Sequence, residues 1–176
     1  MKINDLVCLD LLKCKSGKIL DIGCGQAEIL NRLNMIGFEI FGLDKNEVYG
    51  NISFKKFDLN SMKKLPYKNN TFDYIVCTEV LGYLDNPVFV LKEMNRILKK
   101  GGRLFLTTPN PENIYSKYLF FFKNRFMHFF DNIENPQTHP LLLKSLKYYL
   151  EEVGFKILNI RKKFFSKDSL YIKAKK

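Results

Sequence analysis

The sequence has no long hydrophobic run and no cysteine pair at a metal-binding or redox spacing. Its longest purely apolar or aromatic stretch is YLFFF, residues 118–122, far short of the roughly 18 residues that a membrane-spanning helix needs. The four cysteines show neither a CxxC spacing nor a companion histidine cluster, which argues against the usual zinc and redox motifs. We therefore expect reduced, mostly buried cysteines and no metal site.

The sequence has no low-complexity segment and no internal repeat, and we expect no secretory signal. Asp5 and Asp10 interrupt the apolar stretch at the amino-terminus, so it has no uncharged signal core. Apolar residues make up 46% of the chain, which favours a globular over a disordered protein. With 176 residues, the chain is long enough for one domain and too short for two ordinary ones. The prediction is one cytoplasmic domain over residues 1–176.

Acidic residues are few relative to basic ones. The 18 Asp and Glu residues face 29 Lys and Arg residues, which gives a net charge of +11. This excess favours a polyanionic partner, such as nucleic acid or an anionic membrane surface. Genome composition or heat adaptation explains a lysine-rich surface equally well, so the charge alone assigns no partner.

Strand and helix patterns alternate along most of the chain. Strands are predicted at 18–23, 38–44, 52–59, from 72 and from 103, and helices at 3–14, 26–36, 87–102 and from 140. Two more strands, 156–165 and 169–176, follow each other with a hairpin turn at 166–169. The alternation indicates a mostly parallel sheet covered on both faces. The adjacent final strands imply an antiparallel member at its edge.

A glycine turn follows the first predicted strand, in the stretch KILDIGCGQAEIL. A dinucleotide-binding turn reads G-x-G-x-x-G, but the third glycine position here is Glu28. The remaining pattern is D-x-G-x-G, in which Asp21 stands two residues before Gly23. The turn therefore indicates a cofactor other than a dinucleotide.

At these residues the sequence resembles the class I S-adenosylmethionine-dependent methyltransferases, especially the small ones similar to ubiquinone and menaquinone methylases. Four motifs stand in the family's order: LDIGCGQA, the acid in FGLDKN, FDLN, and FDYIVCTEVLGYL followed by EMNRILKKGGRLFLTTPN. The resemblance implies an α/β, Rossmann-like fold with a mostly parallel seven-stranded sheet, helices on both faces and an antiparallel edge strand. It also implies S-adenosylmethionine as cofactor and S-adenosylhomocysteine as product.

The resemblance carries over a set of cofactor-binding residues. The turn glycines let the methionine part of the cofactor lie against the backbone, Asp21 orients that loop, and Asp44 accepts hydrogen bonds from the ribose hydroxyls. Asp58 and the backbone of Leu59 match positions at the adenine edge. An ordinary strand-ending acid and a solvated loop acid are the alternatives for Asp44 and Asp58. The implied set is Asp21, Gly23, Cys24, Gly25, Asp44, Lys45, Asp58, Leu59 and Thr78.

Three residues are candidate catalytic groups by the same resemblance. Glu79 follows the fourth strand, where the family lines the cofactor and acceptor pocket. Tyr83 stands where relatives often carry a histidine, and a packing tyrosine is the alternative. His139 precedes a helix at a position where relatives often have a histidine facing the pocket, whereas His128 fits an incidental surface histidine better.

Residues 111–135 form an aromatic insertion between the fifth strand and the next helix. Its aromatic side chains are interleaved with Lys117, Lys123 and Arg125. This mixture is typical of an apolar lid, of a site for a lipid-linked or aromatic acceptor, or of contact with an anionic membrane through residues 111–130. The alternative is that the aromatic side chains only complete the core.

The reaction class is better defined by these residues than the acceptor is. Methyl transfer from a sulfonium is an in-line displacement, so placement of the acceptor supplies most of the catalysis. We expect a small-molecule, lipid-linked or sugar-linked acceptor, with an O-methyl product favoured. No N-P-P-[YF] tetrapeptide follows the fourth strand, which disfavours methylation of nucleic-acid bases. An RNA methyltransferase and a non-catalytic protein of the same fold are the two alternatives.

Overall fold

The computed structural model describes residues 3–33, 37–48, 52–126, 129, 137–162 and 169–176. Helices and strands alternate along much of the described chain, as predicted, although three strands follow one another in its first half and two helices in its second. In chain order they are α1 (Ile3–Leu11), β1 (Lys18–Ile22), α2 (Glu28–Leu33), β2 (Glu39–Asp44), β3 (Ser53–Lys56), β4 (Phe72–Thr78), α3 (Pro87–Ile97), β5 (Leu98–Thr108), α4 (Ile114–Lys123), α5 (Leu143–Glu152), β6 (Lys156–Arg161) and β7 (Leu170–Lys175).

The strands form one seven-stranded sheet in the order β3-β2-β1-β4-β5-β7-β6. Strands β1 to β5 pair in parallel, whereas β7 is antiparallel to both β5 and β6. The predicted sheet with an antiparallel edge pair is therefore confirmed. The strand order reverses between β1 and β4, and open α/β sheets bind ligands at the carboxyl ends of strands beside such a reversal.

Both faces of the sheet are covered. Successive residues of β1 and β4 are buried, as expected for parallel strands between two helical layers. One face, represented by Leu20 and Ile75, packs against α3 and α5. The other, represented by Ile19 and Val76, packs against α1 and α2. The core is thus two apolar layers separated by the sheet.

The structure corrects the boundary between α3 and β5. The helix was predicted to run from Pro87 to the glycine pair, but it ends at Ile97, and β5 begins at Leu98 and contains both glycines. A Cβ atom at Gly102 would lie 2.9 Å from the Asp73 carbonyl oxygen. Gly102 is therefore explained by the close approach of two strands rather than by helix termination.

Other differences concern short segments. The strand predicted at 52–59 is limited to β3, and the first helix ends at Leu11. Helix α4 lies in the aromatic insertion, where no element was predicted. Residues 166–168 of the predicted hairpin turn lie outside the described residues. None of the helices in the described part of the chain has the length and hydrophobicity needed to cross a bilayer.

Candidate active site

The glycine turn after β1 needs its two glycines for different reasons. Gly23 and Gly25 have positive φ angles of 71° and 51°, which favour glycine. A Cβ atom at Gly23 would collide with the Val80 side chain, whereas one at Gly25 would meet nothing within 4 Å. Gly23 is thus required for packing, and Gly25 leaves open space beside the backbone.

Asp44 joins the turn to the end of β2. Its Oδ2 accepts a hydrogen bond of 3.0 Å from the Gly25 N–H, and its Oδ1 accepts one of 2.9 Å from the Asn46 N–H. The Leu43 carbonyl accepts a further hydrogen bond of 2.7 Å from the Gly23 N–H. A carboxylate has about four lone-pair sites, so Asp44 keeps acceptor capacity for hydroxyl groups of a ligand.

Asp21 is a buried carboxyl group at the end of β1, with 2% of its surface exposed. Its Oδ1 has no hydrogen-bond partner within the part of the chain that the structure describes. Burial, with a smaller contribution from the charge of Asp44, raises the pKa of Asp21 to about 8. An orphaned buried carboxyl oxygen of this kind fits a cationic ligand group that supplies the missing donor.

Cys24 is buried inside the turn. Burial and the charges of Asp21 and Asp44 raise the pKa of its thiol to about 12. The thiol therefore stays protonated and is a poor nucleophile. This environment supports a packing role at the turn.

A cleft of 390 Å³ opens past the carboxyl ends of β1, β2 and β4. It brings together the turn, the end of β2, the segment after β3 and the segment after β4. Six of the predicted cofactor residues line it. The lining residues are Gly23, Asp44, Lys45, Asn46, Phe57, Asp58, Leu59, Asn60, Thr78, Glu79, Val80, Tyr83 and Leu84.

Asp58 and Asn60 organise one wall of the cleft. The Asp58 side chain accepts a hydrogen bond of 2.9 Å from the Asn60 N–H and caps a 3-10 turn over Leu59–Ser61. The Asn60 side chain donates to the Tyr83 carbonyl at 3.2 Å and accepts from the Asp85 N–H at 3.0 Å. Asn60, which sequence reasoning did not select, therefore ties two walls of the cleft together.

Glu79 is held at the end of β4 by Thr107 of β5. The Glu79 N–H donates to the Thr107 carbonyl at 3.0 Å, and the Thr107 hydroxyl donates to Glu79 Oε1 at 2.8 Å. Glu79 has a φ of 59°, a conformation that non-glycine residues adopt at a cost and that clusters at functional sites. Sequence reasoning missed Thr107, because only the pairing of Thr78 with Thr107 reveals their proximity.

The structure places Tyr83 and His139 differently. Tyr83 lines the cleft at the end of a 3-10 turn over Leu81–Tyr83. The His139 N–H donates to the Gly82 carbonyl at 3.3 Å, and its Nδ1 lies 3.0 Å from the Thr138 hydroxyl oxygen. Among the described residues, His139 is thus adjacent to the cleft but not in its lining. His128 lies outside the described residues.

Comparison with known proteins identifies the family. A family profile described as a methyltransferase domain matches residues 4–160. The chain belongs to this methyltransferase family. The prediction of a class I S-adenosylmethionine-dependent methyltransferase is thereby confirmed, and S-adenosylmethionine is the cofactor that the family implies.

Individual relatives are similar at low identity. The ubiquinone biosynthesis O-methyltransferase of Pelagibacter ubique is 31% identical over an alignment of 106 positions, gaps included, that covers 54% of this chain and 43% of that protein. The demethylmenaquinone methyltransferase of Bacillus mycoides is 28% identical over an alignment of 185 positions, gaps included, that covers 90% of this chain and 78% of that one. This chain spans less than half the length of several curated relatives, including the Pelagibacter protein.

A solved methyltransferase structure has the same fold. The S-adenosylmethionine-dependent methyltransferase from Methanosarcina mazei matches with a TM-score of 0.73 at 22% identity, over 100% of this chain and 99% of that one. At this identity the likeness concerns the fold alone.

The residues of the methyltransferase turn fit the cofactor that the family implies. Among the described residues, nothing donates a hydrogen bond to Oδ1 of the buried Asp21, and the cofactor carries an ammonium group. Gly25 leaves the space beside the turn open, and Asp44 retains acceptor sites at the end of β2. The motifs selected these three residues, and their geometry adds information that the motifs do not contain.

Proposed function

We propose that the chain transfers the methyl group of S-adenosylmethionine to an acceptor hydroxyl on a small or lipid-linked molecule. One observation carries this proposal. The cleft that contains Asp44 and Asp58 on its cofactor side also contains Glu79 and Tyr83. A volume of 390 Å³ falls within the range of about 300–1,000 Å³ that is typical of small-molecule sites.

The chain's own residues would divide the work of the reaction. The bound cofactor supplies an electrophilic methyl group on its sulfonium. The turn and Asp44 hold the cofactor, while the Glu79 carboxylate, oriented by the Thr107 hydroxyl, accepts the hydrogen bond and then the proton of the acceptor hydroxyl. Positioning by Glu79 and Tyr83 keeps the acceptor oxygen in line with the methyl group, which is the main requirement of this displacement.

The acceptor class is supported by two further observations. Relatives named for ubiquinone and menaquinone biosynthesis are similar to this chain. In addition, α4 follows β5 at the same edge of the sheet as the cleft and exposes aromatic side chains. Both favour an apolar acceptor over a sugar-linked one.

The test uses the purified chain and cofactor labelled on its methyl group. Calorimetry measures cofactor binding, and label is then followed into a lipid extract, a panel of catechols and RNA. We expect label in the lipid or catechol fraction. Glu79→Gln should lower turnover by roughly 10²–10⁴-fold, the usual contribution of a general base, while cofactor affinity changes less than about threefold.

Each other outcome contradicts a specific part of the proposal. Label recovered in RNA would establish the RNA methyltransferase alternative. Cofactor binding without transfer to any fraction would favour a non-catalytic protein of this fold. Tyr148→Phe, a change on the exposed face of α5, serves as the control that should leave turnover unchanged.

A further inference from the structure

Helix α4 presents apolar side chains to solvent. Six of its ten residues are exposed and large hydrophobic: Ile114, Tyr115, Tyr118, Phe120, Phe121 and Phe122. Phe121 is 81% exposed and Phe122 66%. We call the side chains of Ile114, Tyr118, Phe121 and Phe122 the aromatic face.

The amphipathic pattern of α4 is inverted. Its buried residues are Ser116 and Leu119. With 3.6 residues per turn, Ile114, Tyr118 and Phe121 lie on the side of the helix opposite to these two. A surface helix of a globular protein normally buries its apolar side and exposes its polar side. The aromatic face is therefore not required for packing onto the core.

Both ends of α4 are fixed, so the aromatic face is an ordered feature. The Asn113 side chain caps the helix by accepting a hydrogen bond of 2.8 Å from the Ser116 N–H. At the other end, Asn124 adopts a left-handed conformation and donates to the Phe120 carbonyl at 3.0 Å. The rings of Tyr118 and Phe122 lie 4.7 Å apart, and those of Phe121 and Phe122 lie 5.2 Å apart.

Charge indicates what the aromatic face contacts. Helix α4 contains no Asp or Glu, and Lys117, Lys123 and Arg125 are exposed on it or just beyond it. The whole chain carries a net charge of +11. Two copies of such a surface would repel each other, which disfavours a dimer through this face. The face is also a convex helix side, whereas binding of single-stranded nucleic acid uses a charged groove.

We propose that α4 binds the surface of an anionic membrane, with Phe121 and Phe122 inserted at the boundary between headgroups and acyl chains. Aromatic rings with neighbouring basic side chains are the composition of helices that lie in this interface. Each basic side chain near an anionic leaflet adds to the attraction. This binding does not depend on the proposed methyl transfer.

Helix α4 starts close to the cleft, so binding of α4 to a membrane would also place the cleft near that membrane. The carboxyl ends of β4 and β5 lie side by side, because Thr78 pairs with Thr107 and the Glu79 N–H bonds to the Thr107 carbonyl. Helix α4 begins six residues after β5 ends, at Ile114, and so starts at the same edge as the cleft. A membrane-bound α4 would keep the cleft near the headgroups, where a lipid-linked acceptor is found.

The test is co-sedimentation of the full chain with lipid vesicles. One set of vesicles contains phosphatidylcholine alone, and the other contains phosphatidylcholine and phosphatidylglycerol in equal amounts. We expect binding to the anionic vesicles at least tenfold stronger than to the neutral ones, and weaker binding at high salt. The double variant Phe121→Ser with Phe122→Ser should lose at least tenfold. Lys117→Glu, one turn before Phe121 on α4, should lose severalfold.

Matched controls come from α5, where Tyr148 is 61% exposed and Lys147 is exposed. Tyr148→Ser and Lys147→Glu should retain the vesicle binding of the unaltered chain. Unchanged binding by the double phenylalanine variant would overturn the proposal. The proposal would also be overturned if the unaltered chain bound no vesicles but formed a dimer or an RNA complex, and the double variant lost that complex. The methyl-label assay on the same samples, run without vesicles, separates this outcome from failure of the proposed methyl transfer.

Discussion

The turn after β1 and helix α4 start at the same edge of the sheet, but side chains at the turn are buried and those on α4 are exposed. At the turn, Asp21 and Cys24 are buried, and Asp44 accepts two backbone hydrogen bonds. On α4, Phe121 and Phe122 project into solvent. The side chains at the turn are thus held in fixed positions by burial and hydrogen bonds, whereas those of Phe121 and Phe122 extend from a fixed helix into solvent.

Among single substitutions, the largest effect on cofactor affinity is expected when the Asp44 carboxylate is removed. Asp44→Ala should weaken binding by about 1.5–3 kcal/mol, the usual value of hydrogen bonds to a charged group. The change also removes the acceptor of the Gly25 and Asn46 N–H groups. Calorimetry measures the effect.

Glu39 provides the matched control for Asp44. It is an exposed carboxylate at the opposite end of the same strand, paired with Lys18 at 3.1 Å. Glu39→Ala should leave cofactor affinity unchanged. Equal losses in the two variants would show that the strand, rather than the Asp44 carboxylate, determines binding.

A second prediction concerns pH and Asp21. Because burial raises the pKa of Asp21 to about 8, the carboxyl is protonated below that pH, and an ammonium ligand favours its ionised form. Binding must then release a proton, so cofactor affinity should fall as the pH falls, by up to about tenfold for each unit below 8. Calorimetry across this range, with Asp21→Asn as control, checks the slope.

The raised pKa of Asp21 should affect the stability of the free protein in the opposite direction, because stability should fall as the pH rises. The neutral carboxyl is the form favoured by folding, so stability should decrease as the pH rises from about 4, near the unfolded pKa, to about 8. Asp21→Asn should flatten this part of the stability profile. A profile with the same slope in both proteins would assign the pH dependence to other groups.

A third prediction compares two glycines with the same backbone strain. Gly25 and Gly37 both have positive φ, and a Cβ atom at either would meet nothing within 4 Å. Alanine at either position should cost about 1–2 kcal/mol of stability. Only Gly25→Ala should weaken cofactor binding, by roughly tenfold or 1.4 kcal/mol. The reason is that the Gly25 N–H donates a hydrogen bond to Asp44, which lines the cleft. Equal affinities would remove Gly25 from the site.

The smallest effect is expected on α4. The double change of Phe121 and Phe122 to serine should alter the free energy of unfolding by less than about 0.5 kcal/mol, since exposed side chains away from special features contribute little. Leu119→Ala, which truncates a side chain that is 5% exposed, should cost about 2–5 kcal/mol. Thermal melts compare the two. A large loss in the double variant would mean that the aromatic face is part of the core.

The difference between the two regions also explains what the sequence could predict. Motifs that are contiguous in the chain, such as Asp21 to Gly25 and Asp58 to Leu59, predicted the turn and one wall of the cleft. Asn60 and Thr107 were not predicted, because their hydrogen-bond partners are distant in sequence. Asn60 accepts from Asp85, and Thr107 donates to Glu79. The contact of Glu79 with Thr107 depends on strand register, and those of Asn60 depend on how two loops meet. A single sequence specifies neither.

Two further misses have local causes. The segment LKKGG resembles a helix end, but Gly102 is used where β5 approaches Asp73. Helix α4 was missed because seven of its ten residues, in the sequence IYSKYLFFFK, are apolar or aromatic and lie on most sides of the helix, so no polar side marks a helical period.

The position of β7 has a consequence for how the protein is made. Within the described residues, β6 pairs in the sheet with β7 alone, and β7 lies between β6 and β5. A growing chain therefore releases β6 from the ribosome before its strand partner has been synthesised. Until then β5 presents an open edge, which is the kind of surface that pairs with other chains. Nascent chains arrested between Arg161 and Leu170 should accordingly depend most on chaperones.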